Sequence, residues 1–259
     1  MKTIFITGAA SGIGAATARL FAREGYFVGI ADVDMEKAKA LAEELGTGKA
    51  MPIFCDVGKH DSVREAMRSF TDRTNGRLDV LYGNAGVLYV GEFEHIHFDK
   101  YQDILNVNAK GSVSLAMVGL THLEHTPDSC MIFTSSAASM FGIPAYAVYA
   151  ASKAFVRSLT ESLNIEWEDK DIYVADIEPG LVATPMVSGE RKNFVDGAPP
   201  SQVGLTAEDV AKLVWEAVTK REKIHYVIGE EANGIYQATR TMETEGVKEM
   251  IKKMMMELS

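Results

Sequence analysis

Short apolar segments alternate along the chain with longer segments in which apolar residues recur every three or four positions. The short, β-branched segments predict seven strands: Thr3–Thr7, Phe27–Ala31, Ala50–Cys55, Leu78–Tyr82, Met131–Thr134, Tyr173–Glu178 and His225–Ile228. The longer segments predict helices near residues 12–24, 34–45, 60–74, 98–123, 148–168 and 206–220. Several strands are apolar throughout, as in strands covered on both faces. The alternation predicts one α/β domain over residues 1–259, with a doubly wound parallel sheet flanked by helices.

Two regions depart from this alternation. Residues 185–205 contain glycines and prolines among mixed polar residues, a composition that predicts a long mobile loop or short helices. Long segments of this kind in compact domains are usually functional lids or disordered. In the tail of residues 230–259, Ile251, Met254, Met255 and Leu258 share one helical face. We expect this helix to dock on its own domain or on a neighbouring subunit, with direct substrate contact as the less favoured alternative.

The composition is that of a globular protein with an acidic surface. The chain has 259 residues, 47% of them apolar, and its 26 Lys and Arg against 36 Asp and Glu give a net charge of −10. Such a surface repels nucleic acid and anionic lipid, so neither is an expected partner. No apolar run approaches the roughly 18 residues of a membrane span, and no secretory signal is recognisable. With only two cysteines, which we expect to be buried and inert, a cytoplasmic location is predicted.

A glycine-rich turn, Thr7–Gly14, joins the first strand to the first helix. Helix N-termini bind phosphate through backbone N–H groups, and glycines allow a pyrophosphate to approach them closely. The spacing here is G-x-x-x-G-x-G. A glycine cluster alone is weak support, but its position between strand and helix favours dinucleotide binding. The residues predicted to form this cradle are Gly8, Ser11, Gly12, Ile13 and Gly14.

Asp32 ends the second strand, 18 residues after Gly14. A carboxylate at this place accepts hydrogen bonds from both hydroxyls of an adenosine ribose and repels the 2′-phosphate of NADP. Asp34 adds negative charge, and no Lys or Arg lies in residues 8–14 or 31–35. We therefore expect NAD as cofactor, bound by Asp32 and the adjoining Val33. The alternative is that Asp32 only caps the following helix.

Tyr149 and Lys153 are four residues apart on a predicted helix and so share one face. The pair alone is not specific, but the strand ending at Thr134 leads into Ser136, at the sheet edge where α/β folds bind ligands. A phenol becomes a useful acid or base near neutral pH when an ammonium group stabilises its phenolate. Tyr146 is a rival phenol, but its fourth position holds Ala150 rather than a cation.

Further motifs accompany the glycine turn, Asp32 and Ser136, and they are Asp56-Val57, Asn84-Ala85-Gly86, Val107-Asn108, Tyr149-Ala-Ala-Ser-Lys153 and Pro179-Gly180-Leu-Val-Ala-Thr184. All of these motifs occur together and in order over roughly residues 2–228, and through them the chain strongly resembles the classical short-chain dehydrogenases/reductases. The resemblance implies a seven-stranded Rossmann-like sheet. One departure is the segment after the last strand, where Ile228-Gly229-Glu230-Glu231 leads into a helical tail. Many tetrameric relatives instead end there with an aspartate and paired glycines.

The resemblance also implies roles for individual residues. The catalytic residues would be Tyr149, Ser136, Lys153 and Asn108. Tyr149 would act as acid and base, and Ser136 would orient the substrate. Lys153 would adjust the pKa of Tyr149 and bind the nicotinamide ribose. Asn108 would bend its helix and hold a water that relays protons toward Lys153. Cofactor contacts would come from Asp56 and Val57 at adenine, from Asn84, Ala85 and Gly86 along the cleft, and from Pro179, Gly180, Val182 and Thr184 at the nicotinamide end. Tyr149 and Lys153 would also contact the cofactor. We expect no metal ion in the site, and we expect the protein to form a homodimer or a homotetramer.

The expected activity is NAD-dependent interconversion of a secondary alcohol and a ketone. An apolar substrate (alicyclic, steroid-like or aryl) is favoured because the segments that form substrate walls in this family are largely apolar here. These are Leu88, Tyr89, Val90, Met140, Phe141, Ile143, Met186, Val187 and Phe194. The alternative is a non-catalytic NAD-sensing or scaffold protein of the same fold. The intact Tyr149, Lys153, Ser136 and Asn108 set argues against it.

Overall fold

The computed structural model describes residues 1–186 and 204–258, and for residues 257 and 258 it describes the backbone only. Within these residues a seven-stranded sheet, parallel throughout, has the order β3-β2-β1-β4-β5-β6-β7. Its strands are β1 Thr3–Thr7, β2 Phe27–Asp32, β3 Ala50–Phe54, β4 Val80–Gly83, β5 Cys130–Thr134, β6 Tyr173–Pro179 and β7 His225–Ile228. The predicted α/β class and strand number are confirmed, and the boundaries differ from prediction by at most two residues.

Helices cover both faces of the sheet. They are α1 Gly12–Arg23, α2 Met35–Leu45, α3 His60–Arg73, α4 Phe98–Ile104, α5 Gly111–Leu123, α6 Ala147–Glu166, α7 Ala207–Lys220, α8 Glu230–Thr241 and α9 Thr244–Leu258. Alternate side chains of β1 show the two layers: Ile4 and Ile6 belong to the core under α1, α2 and α7, and Phe5 to the core under α3, α5 and α6. The sheet is therefore covered on both sides, as apolar strands require.

The predicted helix over residues 98–123 is interrupted. Between α4 and α5 the chain forms a π-helical turn, Leu105–Lys110, which contains Asn108. The Asn108 side chain bonds the Val87 backbone from both sides: its Oδ1 accepts from Val87 N–H at 2.8 Å and its Nδ2 donates to Val87 O at 3.0 Å. Single π turns inside α-helices are frequent at functional sites.

The tail of the chain is helical, as predicted. Side chains of α8 and α9, among them Ile235 and Ile251, pack against Ala137, Met140 and Phe141 after β5. The loop predicted at residues 185–205 falls largely outside the described residues. Two short strands, Val182–Ala183 just before it and Leu205–Thr206 at its far end, pair with each other. No helix in the described part of the chain is long and apolar enough to cross a membrane.

Candidate active site

A cleft of about 380 Å³ opens at the carboxyl edge of the sheet. Most of the residues predicted to form a site line it, and they are Gly8, Ser11, Gly12, Ile13, Asp32, Val33, Asp56, Val57, Asn84, Ala85, Gly86, Ser136, Tyr149, Lys153, Pro179, Gly180, Val182 and Thr184. Gly14 and Asn108 do not line the cleft. Both lie behind its wall, where each touches residues that do.

The glycine turn is packed tightly against the end of β4. Gly8 has a φ of 62°, a left-handed conformation that favours glycine, and a Cβ there would lie 2.8 Å from Ala85 Cα. A Cβ on Gly14 would lie 2.2 Å from the carbonyl oxygen of Gly8. Asn84 fixes the turn by donating from Nδ2 to the backbone oxygens of Thr7 and Gly8, each at 3.1 Å. The turn therefore has room for backbone only.

The first turn of α1 faces the cleft through Gly12 and Ile13. Ser11 precedes it in extended conformation without a side-chain cap, and the first turn contains no acidic residue. Backbone N–H groups and the positive end of the helix dipole are thus available to an anion. This cradle, which added Cβ atoms would fill, fits the pyrophosphate of a dinucleotide.

Asp32 is held by backbone groups at the other end of this cradle. Its Oδ2 accepts from Ala10 N–H and its Oδ1 from Asp34 N–H, both at 2.9 Å. The cap of α2 is Asp34, whose side chain accepts from Lys37 N–H, so the helix-cap alternative for Asp32 is wrong. Asp34 also forms an ion pair with Lys37 at 2.6 Å. The negative charge predicted for this region is consequently partly compensated at Asp34.

Tyr149 and Ser136 meet at the centre of the cleft. Ser136 begins a 3₁₀ turn, Ala137–Ser139, and its Oγ accepts from Ala138 N–H at 3.2 Å. Burial raises the pKa of Tyr149 to about 12, and its hydrogen bond with Ser136 opposes that rise. Tyr149 is therefore a neutral phenol at neutral pH, and the expected lowering of its pKa is not seen in the protein alone.

Lys153 lies one helical turn from Tyr149. Its Nζ donates to Thr134 O at 2.8 Å and lies 5.6 Å from the centroid of the Tyr149 ring. Burial lowers the pKa of Lys153 to about 8, while the charge of Asp176 acts to raise it. Lys153 thus keeps a proton through most of the neutral range, beside the phenol.

Asn108 is almost fully buried behind this pair. Besides bonding Val87, its Nδ2 donates to Ser152 Oγ at 3.1 Å, on the helix that carries Lys153. A Cβ on Gly86 would lie 3.4 Å from Asn108 Oδ1 and 3.5 Å from Lys153 Nζ, which shows that the two groups flank the same glycine. The predicted helix distortion at Asn108 is present, and its part in a proton relay stays a prediction.

The apolar end of the cleft differs from the prediction. Leu88, Ile143 and Met186 line it, whereas Tyr89, Val90, Met140 and Phe141 are not among the lining residues. Met140 and Phe141 pack against the C-terminal helices instead. Val187 and Phe194 lie outside the described residues.

The sequence analysis missed residues that enter the cleft from the tail. Glu231 at the start of α8 and Met255 on α9 line it, together with Tyr146 and Ala138. Met255 belongs to the predicted apolar helical face, but the pattern does not show which surface this face covers. The tail helices therefore dock on their own domain and also reach the cleft.

The two cysteines are free and buried. Burial raises the pKa of both Cys55 and Cys130 to about 12. A thiol with such a pKa is protonated at neutral pH and is a poor nucleophile. This agrees with the expected inert thiols, although Cys55 also lines the cleft.

Comparison with known proteins shows the family. The family model described as short chain dehydrogenase matches residues 2–194. The chain therefore belongs to the short-chain dehydrogenases, a class of oxidoreductases, and the predicted family is confirmed.

Individual relatives cover most of the chain. Tropinone reductase-like 2 from Erythroxylum coca is 38% identical over 88% of this chain and 86% of its own length. Meso-2,3-butanediol dehydrogenase from Serratia marcescens is 34% identical over 75% of this chain and 77% of its own. A solved alcohol dehydrogenase from Thermococcus sibiricus, complexed with 5-hydroxy-NADP, is 26% identical with a TM-score of 0.76, covering 88% of this chain and 95% of that one.

Proposed function

We propose that the protein is an NAD-dependent oxidoreductase that interconverts a secondary alcohol and a ketone. The observation that carries the proposal is one cleft in which a glycine cradle adjoins Tyr149, Ser136 and Lys153. The relative from Serratia marcescens supports the reaction, because both hydroxyls of 2,3-butanediol are on secondary carbons.

In ketone reduction, the neutral phenol of Tyr149 donates its proton to the substrate oxygen, which Ser136 Oγ holds by a hydrogen bond. A nicotinamide cofactor in the cleft would supply the hydride that reduces the carbonyl carbon, and would accept that hydride in the reverse reaction. The ammonium group of Lys153 stabilises the phenolate that remains, because opposite charges favour each other in a partly buried site. In alcohol oxidation, Tyr149 must first be deprotonated. Because the pKa of Tyr149 is raised to about 12, the deprotonated fraction of Tyr149 grows as the pH rises, and the rate of oxidation should grow with it.

NAD is the proposed cofactor because Asp32 lies where the adenosine ribose would bind. Two like charges 4 Å apart repel by about 4 kcal/mol at an effective dielectric constant of 20. We expect NADH to bind at least about tenfold more tightly than NADPH, allowing for screening. The Asp32→Asn variant should narrow that ratio, since it removes the charge and keeps one side-chain oxygen as acceptor. Fluorescence titration of both cofactors measures the two Kd values.

Asp34→Asn is the matched control for this charge. Because Lys37 already pairs with Asp34, its neutralisation should change the ratio less than that of Asp32. Equal or tighter binding of NADPH by the wild type would contradict the proposed preference.

The proposed substrate is apolar. Leu88, Ile143, Met186 and Met255 line the cleft that holds Tyr149, and the acidic Glu231 also lines it. A phosphorylated substrate would meet that carboxylate, so an uncharged alcohol is favoured. A panel of secondary alcohols with NAD, followed by nicotinamide absorbance, tests both reaction and substrate class. We expect alicyclic and aryl alcohols to give the highest kcat/KM, and a better sugar phosphate would overturn the assignment.

We also propose that the protein is a homo-oligomer, assembled as a dimer through α5 and α6. These helices expose Met117 and Phe155, with 65% and 43% of their surface accessible in the single chain. The family resemblance supports the choice of these helices, and a dimer formed there would cover both side chains. Sedimentation equilibrium would distinguish a dimer or tetramer from a monomer.

A further inference from the structure

A buried group of charged residues lies behind the active site, between α6 and the end of the sheet. Asp176 and Glu178 alternate along β6 and so share one face, and both are fully buried. They face Arg157 and Glu161, which continue the face of α6 that begins with Lys153 at a spacing of four residues. The fifth member, His225, is the register partner of Asp176 on β7. We call these five residues, Arg157, Glu161, Asp176, Glu178 and His225, the buried charge cluster after its two buried carboxylates; Glu161, at its edge, keeps 46% of its side chain exposed.

Glu178 connects two parts of the active site. Its Oε1 accepts from Ser139 Oγ at 3.0 Å and from Arg157 Nη1 at 2.9 Å. Ser139 ends the turn that Ser136 begins, and its N–H donates to Ser136 O at 2.9 Å. Arg157 lies one helical turn after Lys153 and two after Tyr149. One carboxylate oxygen therefore ties the turn that orients Ser136 to the helix that carries Tyr149 and Lys153.

The other residues of the cluster also make direct contacts. His225 Nδ1 lies 2.8 Å from Asp176 Oδ1, and its Nε2 lies 2.9 Å from Glu161 Oε1. With both ring nitrogens and the Oε1 of Glu178 already engaged, the geometry favours a charge network over an ion-binding centre. Asp176 Oδ2 and Glu178 Oε2 have no hydrogen-bond partner among the described residues. A buried carboxylate oxygen without a partner strongly disfavours the ionised form.

We propose that Glu178 is a positioning residue of the active site, and that its ionised carboxylate holds the Ser136 turn against the helix of Tyr149 and Lys153. The proposal rests on the proposed function. In the protonated state, Glu178 no longer offers a charge to Arg157, whose partner would then be Glu161 alone, at 3.4 Å. The Ser136 hydroxyl would lose its fixed distance to Tyr149, and proton transfer depends steeply on such distances.

Glu178 changes its charge in the neutral range. Burial first, and then the neighbouring Asp176, raise the pKa of Glu178 to about 7, while Arg157, His225 and Ser139 oppose the rise. Burial also raises the pKa of Asp176. For His225, burial acts to lower the pKa, but the bond and charge of Asp176 raise it. We therefore expect ketone reduction to slow as the pH falls below about 7, by up to about tenfold per pH unit.

The direction of this effect separates Glu178 from the proton-transfer groups. Tyr149, with a pKa of about 12, and Lys153, with one of about 8, both become more fully protonated on acidification. Protonation keeps Tyr149 in the form that reduction requires and Lys153 in its cationic form. A loss of reduction rate below pH 7 is thus not expected from either of them.

The test measures kcat for ketone reduction between about pH 5.5 and 8.5 in the wild type and in Glu178→Gln. The variant should have a lower kcat near pH 8 and no acid limb. Its Kd for NADH should be unchanged, because Glu178 bonds Ser139 and Arg157 rather than the glycine cradle. Ser139→Ala should also lower kcat near pH 8 and weaken the acid limb, because the Ser136 turn is then no longer bonded to Glu178. Glu166→Gln, the same chemical change at an exposed position on α6, the helix of Tyr149 and Lys153, should behave as the wild type.

Thermal unfolding of the same proteins gives a second readout. A carboxyl whose pKa is raised on folding stabilises the fold at low pH, and that contribution is lost as the pH rises through about 7. The Tm of Glu178→Gln relative to the wild type should therefore increase from about pH 5.5 to 8.5. An active wild type whose pH profile is shared by Glu178→Gln would overturn this inference alone. A wild type without turnover on any ketone would overturn the proposed function and this inference with it.

Discussion

Replacing Tyr149 by phenylalanine should lower kcat by about 10²–10⁴-fold, the usual contribution of general acid–base catalysis. The phenylalanine ring can occupy the same place, so the fold and the cofactor cradle should persist. What is lost is the hydroxyl that bonds Ser136 and supplies the proton. Steady-state kinetics with a substrate from the alcohol panel measures the loss, and fluorescence titration should show an unchanged Kd for NADH.

Tyr146→Phe is the matched control for this prediction. Tyr146 lines the same cleft, and its ring centroid lies 6.4 Å from that of Tyr149. The fourth residue after Tyr146 is Ala150, whereas the fourth after Tyr149 is Lys153. We expect this variant to lose less than about tenfold in kcat, because the stabilising ammonium group follows Tyr149 by one helical turn. Equal losses in the two variants, or full activity of Tyr149→Phe, would refute the assigned role.

Replacing Gly14 by alanine should raise the Kd of NADH by about a hundredfold or more. The new Cβ would lie 2.2 Å from Gly8 O and 2.8 Å from Asn84 Nδ2, so the turn must shift. A shift there moves the N–H groups of the cradle, and hydrogen bonds to a charged group contribute about 1.5–3 kcal/mol each. The loss of two such bonds accounts for a change of this size. Titration with NADH measures it, alongside circular dichroism to verify the fold.

Gly234→Ala is the control for the general effect of adding a methyl group. Gly234 lies in α8, where an added Cβ would meet no heavy atom of the described residues within 4 Å, and alanine favours helix over glycine. This variant should bind NADH as the wild type does. If Gly14→Ala is folded and binds NADH with wild-type affinity, the turn is not the pyrophosphate site.

The fold was predictable because its strands and glycines leave local marks in the sequence. Strands that are buried on both faces, such as Met131–Thr134, are continuous apolar runs. Ligands bind at the carboxyl ends of parallel strands, so residues that directly follow a strand, such as Ser136, are expected at the cleft. Gly8, Asp32, Ser136 and Tyr149 were predicted from such marks, and the structure brings all four into one cleft. Their chemical roles remain proposals.

The apolar wall was predicted less well because periodicity does not specify a partner surface. Met140 and Phe141 were expected in the cleft, but they pack against the C-terminal helices. Met255 is recognisable as part of an apolar face, yet only the tertiary arrangement shows that it reaches the cleft. Contacts between segments so far apart in sequence leave no local pattern.

The buried charge cluster shows a different limit. Asp176 and Glu178 interrupt an otherwise apolar strand, and the run of acids from Glu161 to Glu168 suggests, by its sequence, a solvated helix face. In the structure Glu161 bonds His225 and pairs with Arg157 while 46% of its side chain stays exposed, so a solvated face and membership of the network coexist there. The pattern that indicates the network is a set of charged residues four apart on a helix, Arg157 and Glu161, together with carboxylates two apart on a strand, Asp176 and Glu178.

The contact of Met255 with the cleft has a consequence for the biosynthesis of the protein. The glycine turn of residues 8–14 lies near one end of the 259-residue sequence and Met255 near the other, although both line or support the same cleft. At a synthesis rate of about 5–20 residues per second, the ribosome adds Met255 roughly 12–50 s after the glycine turn. A protease that cuts within α9 would leave the cradle in place and remove part of the wall.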